Sequence, residues 1–210
     1  MPYLQLPLGP LQTNAYVLSN EKSEAIIFDP GSESDKLIRR LKEENLKPIA
    51  ILLTHAHFDH IGAVDDIRKE YSIPVYVSKH EEDWLAKPSK NGSGRFLGDP
   101  VVIDAADHVI TEEGSFKVGS FAFHIFHTPG HSPGSLSYYY KKENVLFSGD
   151  VLFSQSIGRT DLPGGNHELL LKSIHTKLLD LPEQTYVACG HGQMTTIGME
   201  MDSNPFLSGF

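Results

Sequence analysis

The sequence predicts a mixed α/β protein, because short apolar runs of strand length alternate along the chain with segments of helical periodicity. The clearest strand patterns cover residues 49–53, 121–127 and 145–149. The chain has 210 residues, of which 40% are hydrophobic, and this is enough for a sizeable core within the usual upper range of one domain. We therefore expect a single domain over residues 1–210.

Three helices are predicted from apolar residues that recur every three or four positions. The first helix follows a start signal at residues 32–35 and ends near Pro48. The second helix begins directly after the histidine-rich segment of residues 55–60. The third begins after Asn166, a residue suited to capping, and ends before Pro182. The apolar positions are Leu37, Ile38 and Leu41, then Ile61, Val64, Ile67 and Tyr71, then Leu170, Leu171, Ile174, Leu178 and Leu179. These helices are expected to cover the sheets from outside.

A histidine-rich stretch begins where the first strand pattern ends. Residues 55–60 read His-Ala-His-Phe-Asp-His, which places His55, His57, Asp59 and His60 on a loop leaving a strand. Loops held by a rigid strand commonly carry chemistry. An irregular turn allows such close neighbours to face two adjacent metal ions.

Three further candidate ligands come directly after strand patterns. His131 lies in a tight Thr-Pro-Gly-His-Ser-Pro-Gly turn, Asp150 follows the strand that ends at Gly149, and His191 lies between two glycines. We expect the ends of these strands to converge on one place. Imidazole and carboxylate groups together suit zinc, iron or manganese, and the two oxygens of Asp150 are able to bridge two ions. The order of these residues predicts a two-metal centre.

The signature at residues 55–60 resembles the His-X-His-X-Asp-His motif of the metallo-β-lactamase superfamily, and the resemblance spans nearly the whole chain. Residues 11–16, 28–31 and 156–161 are similar to the small glyoxalase II-like hydrolases of that superfamily. The resemblance implies an αββα sandwich, in which two facing mixed sheets are covered by helices. It also implies how the ligands divide: His55, His57 and His131 for one metal, Asp59, His60 and His191 for the other, with Asp150 shared.

The function implied by this resemblance is metal-dependent hydrolysis of a small-molecule thioester, S-D-lactoylglutathione or a related acyl thioester, by a metal-bound hydroxide. Two divalent ions are expected, with zinc favoured and iron or manganese as alternatives. Asp59 and Asp150 are the candidate catalytic residues, and Arg159 is the candidate that binds a substrate carboxylate. Longer glyoxalase II enzymes append a helical C-terminal domain that contacts glutathione, so we expect several of those contacts to be absent and the exact acyl thioester to stay open.

The main alternative is a mononuclear iron persulfide dioxygenase, in which His55, His131 and Asp150 hold one iron. The four other ligands remain in this sequence and favour a second metal. A metal-dependent binding module without activity is disfavoured by the complete ligand set. Nothing in the sequence indicates recognition of a lactam.

Charge and hydropathy argue against two kinds of partner. The formal net charge of −9 disfavours binding to a nucleic-acid backbone, which usually requires a basic surface. No stretch approaches the roughly 18 apolar residues typical of a membrane span, and no signal-peptide pattern is present. One cysteine, Cys189, excludes an internal disulfide and is expected to be buried at a strand end. These features predict a cytoplasmic protein.

Two smaller features leave alternatives open. Asp29 precedes a Pro-Gly turn, so it either holds a ligand imidazole in its metal-binding tautomer or simply belongs to the turn. The breaker-rich segment 87–95 predicts a mobile surface loop. That loop is either a lid that presents Lys90 and Arg95 to a substrate or a plain connector.

Overall fold

In the computed structural model, which describes residues 3–207, the chain forms two compact units, Met1–Thr111 and Glu112–Phe210. Each unit contains one six-stranded sheet with both parallel and antiparallel pairs, and helices flank the sheets. The predicted α/β class with two mixed sheets and flanking helices is therefore confirmed. The expectation of a single domain over residues 1–210 stays a prediction.

The first unit contains one sheet, five α-helices and a 3₁₀ turn. In chain order its elements are β1 Tyr3–Leu8, β2 Thr13–Ser19, β3 Glu24–Phe28, α1 Ser34–Glu43, β4 Lys47–Leu52, α2 Phe58–Ile61, α3 Val64–Tyr71, β5 Val75–Ser78, the 3₁₀ turn Glu82–Trp84, α4 Pro88–Asn91, α5 Ser93–Phe96 and β6 His108–Ile110. The strands lie in the order β1 to β6. Strands β1 to β3 pair antiparallel and β3 to β6 pair parallel, so β3, β4 and β5 all end at one edge of the sheet, where β2 begins.

Helices α1 and α3 bury their apolar sides in the core of this unit. Leu37 and Leu41 of α1 and Ile67 of α3 are fully buried and belong to one cluster with Ile27 and Ile51 of the sheet. The first predicted helix is thus confirmed, although Pro48 lies inside β4. The second predicted helix is divided, because α2 ends at Ile61 and α3 begins only at Val64.

The segment predicted to be a loop at 87–95 instead forms α4 and α5, so that prediction is wrong. Pro88 occupies the first turn of α4, where its missing N–H costs nothing. Gly92, with φ of 88°, provides the left-handed residue that ends α4 and begins α5. Breaker residues here mark the ends of two short helices rather than irregular chain.

The second unit contains a six-stranded sheet, a small hairpin and two α-helices. In chain order its elements are β7 Gly114–Val118, β8 Phe121–His127, β9 Leu136–Tyr140, the 3₁₀ turn Lys141–Glu143, β10 Val145–Gly149, the hairpin of β11 Leu152–Phe153 and β12 Ser156–Ile157, α6 His167–Ser173 continued by the π-helical turn Ile174–Leu178, β13 Tyr186–Cys189, β14 Thr195–Thr196 and α7 Ile197–Ser203. The sheet order is β14-β13-β10-β9-β8-β7. Because β10 pairs parallel with β13 and antiparallel with β9, which is antiparallel to β8, the strands β8, β10 and β13 all end at one edge.

The third predicted helix is confirmed as α6. The side chain of Asn166 caps it by accepting a hydrogen bond from the backbone N–H of Leu169 at 2.9 Å. Leu170 and Leu171 then pack in one cluster with Leu146 of β10 and Val187 of β13. Within residues 3–207, no helix is long and apolar enough to cross a membrane. The cytoplasmic location stays a prediction.

Candidate metal centre

The first group of candidate ligands lies at the edge where β3, β4 and β5 end. Asp29 follows β3, the segment from His55 to His60 follows β4, and Glu81 follows β5. Thr13, the first residue of β2, lies at the same edge because β2 runs antiparallel to β3. Side chains far apart in sequence are therefore brought to one edge by the strand order.

Asp29 fixes the orientation of two histidine rings. Its Oδ1 accepts a hydrogen bond from the backbone N–H of Thr54 at 2.8 Å, and its Oδ2 accepts from Nδ1 of His60 at 2.9 Å and from the hydroxyl of Thr54. Since that hydroxyl gives its proton to Asp29, it can only accept from Nδ1 of His55, which lies 3.1 Å away. Both imidazoles therefore carry the proton on Nδ1 and present the lone pair of Nε2, which is the form that binds a metal. The structure therefore supports the role in which Asp29 holds a ligand imidazole in its metal-binding tautomer, rather than that of a simple turn residue.

Asp59 lies beside His60 and is oriented by Thr13. The Thr13 hydroxyl donates to Oδ2 of Asp59 at 2.8 Å, and the same oxygen lies 3.5 Å from Nε2 of His60. A separation of 3.5 Å is long for a hydrogen bond. It matches the edge of a tetrahedron of metal ligands, which is about 3.4 Å for bonds of about 2.1 Å.

Glu81 and Trp84 support the loop that carries His55 and His57. The side chain of Glu81 is fully buried and its Oε2 accepts a hydrogen bond from the backbone N–H of Ala56 at 2.6 Å. The indole of Trp84 lies 5.7 Å from the His57 ring. Glu81 was not predicted from the sequence, because it lies in a charged run that resembles a solvated surface and no local spacing links it to residue 56.

The second group of candidate ligands lies at the edge where β8, β10 and β13 end. His131, Asp150 and His191 follow these strands in turn. Oδ2 of Asp150 lies 3.6 Å from Nε2 of His131 and 3.5 Å from Nε2 of His191. Each of these two separations again matches the distance between two ligands of one metal. The Nε2 atoms of both histidines lie near the same oxygen of Asp150.

His131 is held by the backbone of residue 159. Its Nδ1 donates to the carbonyl oxygen of Arg159 at 2.8 Å, which leaves the lone pair on Nε2, the atom that faces Asp150. Gly158 is required here, since a Cβ at this position would lie 1.9 Å from the carbonyl oxygen of Asp150. The segment around Gly158 thus positions His131 through the main chain.

The side chain of Arg159 points into solvent and pairs with Asp161. The two nitrogens Nε and Nη2 each lie 2.7 Å from a carboxylate oxygen, and both side chains are more than half exposed. The hydrogen bond to Asp161 raises the pKa of the guanidinium. A substrate carboxylate at Arg159 would have to compete with Asp161, so the substrate role of Arg159 stays a prediction.

Cys189 is a structural residue in this unit and not a nucleophile. It is fully buried, as predicted, and burial raises the pKa of its thiol to about 12. Its Sγ lies 3.2 Å from the carbonyl oxygens of His191 and Gln193, to which the S–H donates. The thiol therefore stays protonated at neutral pH and fixes the turn that carries His191.

The residues present fit the metal ions that the sequence predicts. Nitrogen and carboxylate donors with ligand-to-ligand separations of 3.5–3.6 Å occur in both groups. Three imidazoles have Nδ1 engaged by a carboxylate, a hydroxyl or a carbonyl oxygen, so each offers Nε2. Several histidine and aspartate groups of this chain are thus able to bind a metal, while the role of the seven residues as ligands stays a prediction.

The fold and these groups define a metallo-hydrolase of one family. Residues 8–191 match the family model of the metallo-beta-lactamase superfamily, and the chain belongs to this superfamily. It is 53% identical over 210 residues to the probable metallo-hydrolase YqgX of Bacillus subtilis, which covers all of this chain and 99% of that protein. It is 37% identical over 204 residues to hydroxyacylglutathione hydrolase GloC of Haemophilus influenzae, which covers 97% and 96% of the two chains.

Solved structures agree with this assignment. The crystal structure of BLEG-1 B3 metallo-beta-lactamase has a TM-score of 0.97 to this chain at 64% sequence identity, covering 99% of this chain and 100% of that one. A second structure, TTHA1623 in a di-iron-bound form, has a TM-score of 0.86 at 38% identity, covering 97% and 100%. The metallo-β-lactamase fold predicted from the sequence motifs is confirmed.

Proposed function

We propose that this protein is a dinuclear metallo-hydrolase that cleaves acyl thioesters. The seven side chains would hold two divalent ions, one with His55, His57 and His131, the other with Asp59, His60 and His191, and both with Asp150. The observation that carries this proposal is the position of Asp150, because one of its oxygens lies within 3.6 Å of Nε2 of both His131 and His191. Each of these histidines belongs to a different proposed ligand set, so the carboxylate is suited to bridging.

Zinc is the proposed metal, with iron and manganese as alternatives. Imidazole nitrogen and carboxylate oxygen accept all three, so the donor set alone does not choose among them. TTHA1623, at 38% identity, has been crystallised with two irons. That precedent supports two ions in one centre and keeps iron among the alternatives.

Two divalent ions would supply Lewis acidity and lower the pKa of water. Asp59, held at Oδ2 by the Thr13 hydroxyl, would orient the attacking water and accept its proton. Water adds to the thioester carbonyl carbon, the C–S bond breaks, and the sulfur leaves with the bonding electrons. The products are a carboxylate and a thiol. Because a thiol has a pKa of about 8.5, its thiolate leaves without a dedicated general acid.

The proposed substrate class is S-D-lactoylglutathione or a related small acyl thioester. The similarity to GloC supports this choice. This chain matches 96% of that relative, which is named a hydroxyacylglutathione hydrolase, so such a name does not require a long additional domain. Arg159 is the proposed partner of a substrate carboxylate, which would replace the carboxylate of Asp161 in the ion pair.

The test is hydrolysis of S-D-lactoylglutathione by protein loaded with zinc, iron or manganese, with release of thiol measured by a colorimetric reagent. We expect turnover that depends on metal and is lost in Asp150→Ala. The exposed Asp202, in α7, provides the matched control Asp202→Ala, which should keep full turnover. Turnover by the metal-free protein, or unchanged turnover in Asp150→Ala, would contradict the proposal.

Hydrolysis of β-lactams is a second candidate function, favoured by the 64% identity to BLEG-1 B3 metallo-beta-lactamase. The sequence offered no indication of lactam recognition, so this candidate rests on that comparison. The same protein preparations should be assayed with a chromogenic cephalosporin. Values of kcat/KM for the lactam above those for the thioester would make the lactam the preferred substrate.

A further inference from the structure

Helices α4 and α5 form a fixed structure beside the loop of candidate ligands. The fully buried side chain of Asn91 donates to the carbonyl oxygens of Trp84 and Val101, and its Oδ1 accepts from the backbone and hydroxyl of Ser93. The Ser93 hydroxyl oxygen in turn accepts from the backbone N–H of Val101 at 3.0 Å. These bonds close the segment into a compact turn, and α5 keeps a defined place.

The exposed end of α5 contacts the ligand loop. Phe96 is 48% exposed, and its ring centroid lies 6.2 Å from that of Phe58 with an angle of 32° between the rings. Phe58 stands in the sequence between His57 and Asp59. Gly92 lies beside both rings, since a Cβ there would be in ordinary van der Waals contact with Phe58 and Phe96 at 3.5 and 3.7 Å. Phe96 therefore extends an apolar surface outward from the residues proposed to hold the metals.

Arg95 adds a cation to this surface. Its guanidinium carbon lies 5.5 Å from the centre of the Phe96 ring. A guanidinium beside an aromatic ring still has N–H groups able to donate to a carboxylate. We refer to Phe58, Phe96 and Arg95 together as the aromatic ledge.

The neighbouring lysines already share an anionic partner. Lys87 and Lys90 both bind Oδ2 of Asp83, at 2.6 and 2.7 Å. In the part of the chain from residue 3 to 207, Arg95 takes part in no ion pair and no hydrogen bond of its side chain; its contact is with Phe96. Of the two basic candidates suggested by the sequence, the structure therefore favours Arg95 over Lys90.

We propose that the aromatic ledge determines substrate specificity, by binding at Arg95 a carboxylate of an anionic acyl thioester other than the one assigned to Arg159, and its apolar part against Phe96. This inference rests on the proposed thioester hydrolysis. A small-molecule substrate is the occupant that fits, because the ledge combines one unpaired cation with one exposed ring and adjoins His57 and Asp59 in sequence. Its role is to orient the thioester, and it takes no part in bond breaking.

The test compares an anionic with an uncharged thioester of the same acyl group, S-D-lactoylglutathione and the lactoyl thioester of N-acetylcysteamine. In Arg95→Gln we expect KM for the anionic substrate to rise about tenfold with kcat unchanged, because a charge-assisted hydrogen bond is lost. The uncharged substrate should keep its KM within about twofold. Lys90→Gln is the matched control and should leave both substrates unchanged. Phe96→Ala should raise KM for both.

Direct binding separates a failure of the ledge from a failure of the proposed function. Glutathione, an anionic thiol, and N-acetylcysteamine, an uncharged thiol, are titrated by calorimetry into the metal-loaded wild type, Arg95→Gln and Lys90→Gln. We expect Arg95→Gln alone to weaken glutathione binding about tenfold. If the wild type hydrolyses neither thioester but this pattern holds, the hydrolase proposal fails, while Arg95 is still shown to bind a carboxylate. Equal affinity of all three proteins for glutathione, or no binding to the wild type, overturns the ledge.

Discussion

Replacing Asp29 with asparagine tests how far the structure controls its metal ligands through hydrogen bonds. Asp29 is 2% exposed and accepts three hydrogen bonds, two from Thr54 and one from Nδ1 of His60. Asparagine has nearly the same shape, but its amide NH₂ cannot accept a hydrogen bond. One of the three donors must therefore lose its partner in the variant, and the negative charge that holds the His60 tautomer disappears.

The expected magnitude follows from these contacts. A hydrogen bond from a buried donor to a charged acceptor contributes about 1.5–3 kcal/mol, and groups that orient metal-binding histidines change metal affinity about 10- to 100-fold. We expect Asp29→Asn to weaken binding of at least one metal within that range. The free energy of unfolding of the metal-free protein should fall by about 1–3 kcal/mol, because the unsatisfied donor remains buried.

The assay is competition for zinc with a chromophoric chelator. Fluorescence provides a second signal, since the chain contains one tryptophan, Trp84, whose ring lies 5.7 Å from that of His57. The matched control is Asp66→Asn, because Asp66 is exposed and accepts from the Ser34 hydroxyl at 2.7 Å without touching a histidine. Equal zinc affinity in wild type and Asp29→Asn would refute the assigned role of Asp29.

Three other outcomes are expected. Asp150→Ala should bind at least one metal fewer at micromolar zinc, whereas Asp202→Ala should bind as the wild type does; elemental analysis after dialysis decides. Gly158→Ala should lose about 1–3 kcal/mol of stability and most activity, because its Cβ would lie 1.9 Å from the carbonyl oxygen of Asp150. The control Gly98→Ala, whose Cβ would have nothing within 4 Å, should keep its stability in denaturation measurements and its turnover. The buried Cys189 should react with iodoacetamide at pH 8 only after denaturation. Equal labelling of native and unfolded protein would contradict the burial of this thiol. Since folding raises the pKa of the thiol to about 12, its contribution to the free energy of unfolding is complete below about pH 9 and is lost as the pH rises from there through 12.

The features that the sequence predicted are those with local signals. Strand and helix patterns depend on neighbouring residues, so β8 and α6 appear where periodicity and the Asn166 cap place them. The candidate ligands were recognisable because most of them follow a strand within a few residues, whereas Asp59 and His60, which were expected on the same loop, lie in helix α2. Their division between two metals came from the resemblance, since spacing alone is compatible with other pairings.

Features that depend on distant partners could not be predicted in this way. Glu81 reaches Ala56 because β4 and β5 run parallel, and nothing near residue 81 indicates this. The segment 87–95 has the composition of a loop, yet the hydrogen bonds of Asn91 and Ser93 to Val101 close it into helices. The contact of Phe96 with Phe58 depends on that closure, so the sequence did not predict it either.

The most direct test of the central claim is metal content and thioester hydrolysis measured on one preparation of the purified protein. Elemental analysis gives the number of ions per chain, and thiol release from S-D-lactoylglutathione gives turnover. We predict about two ions per chain, with turnover that rises in proportion to occupancy of the second. One iron per chain, no hydrolysis, and oxygen uptake with glutathione persulfide would contradict the account and assign the protein to the dioxygenase alternative.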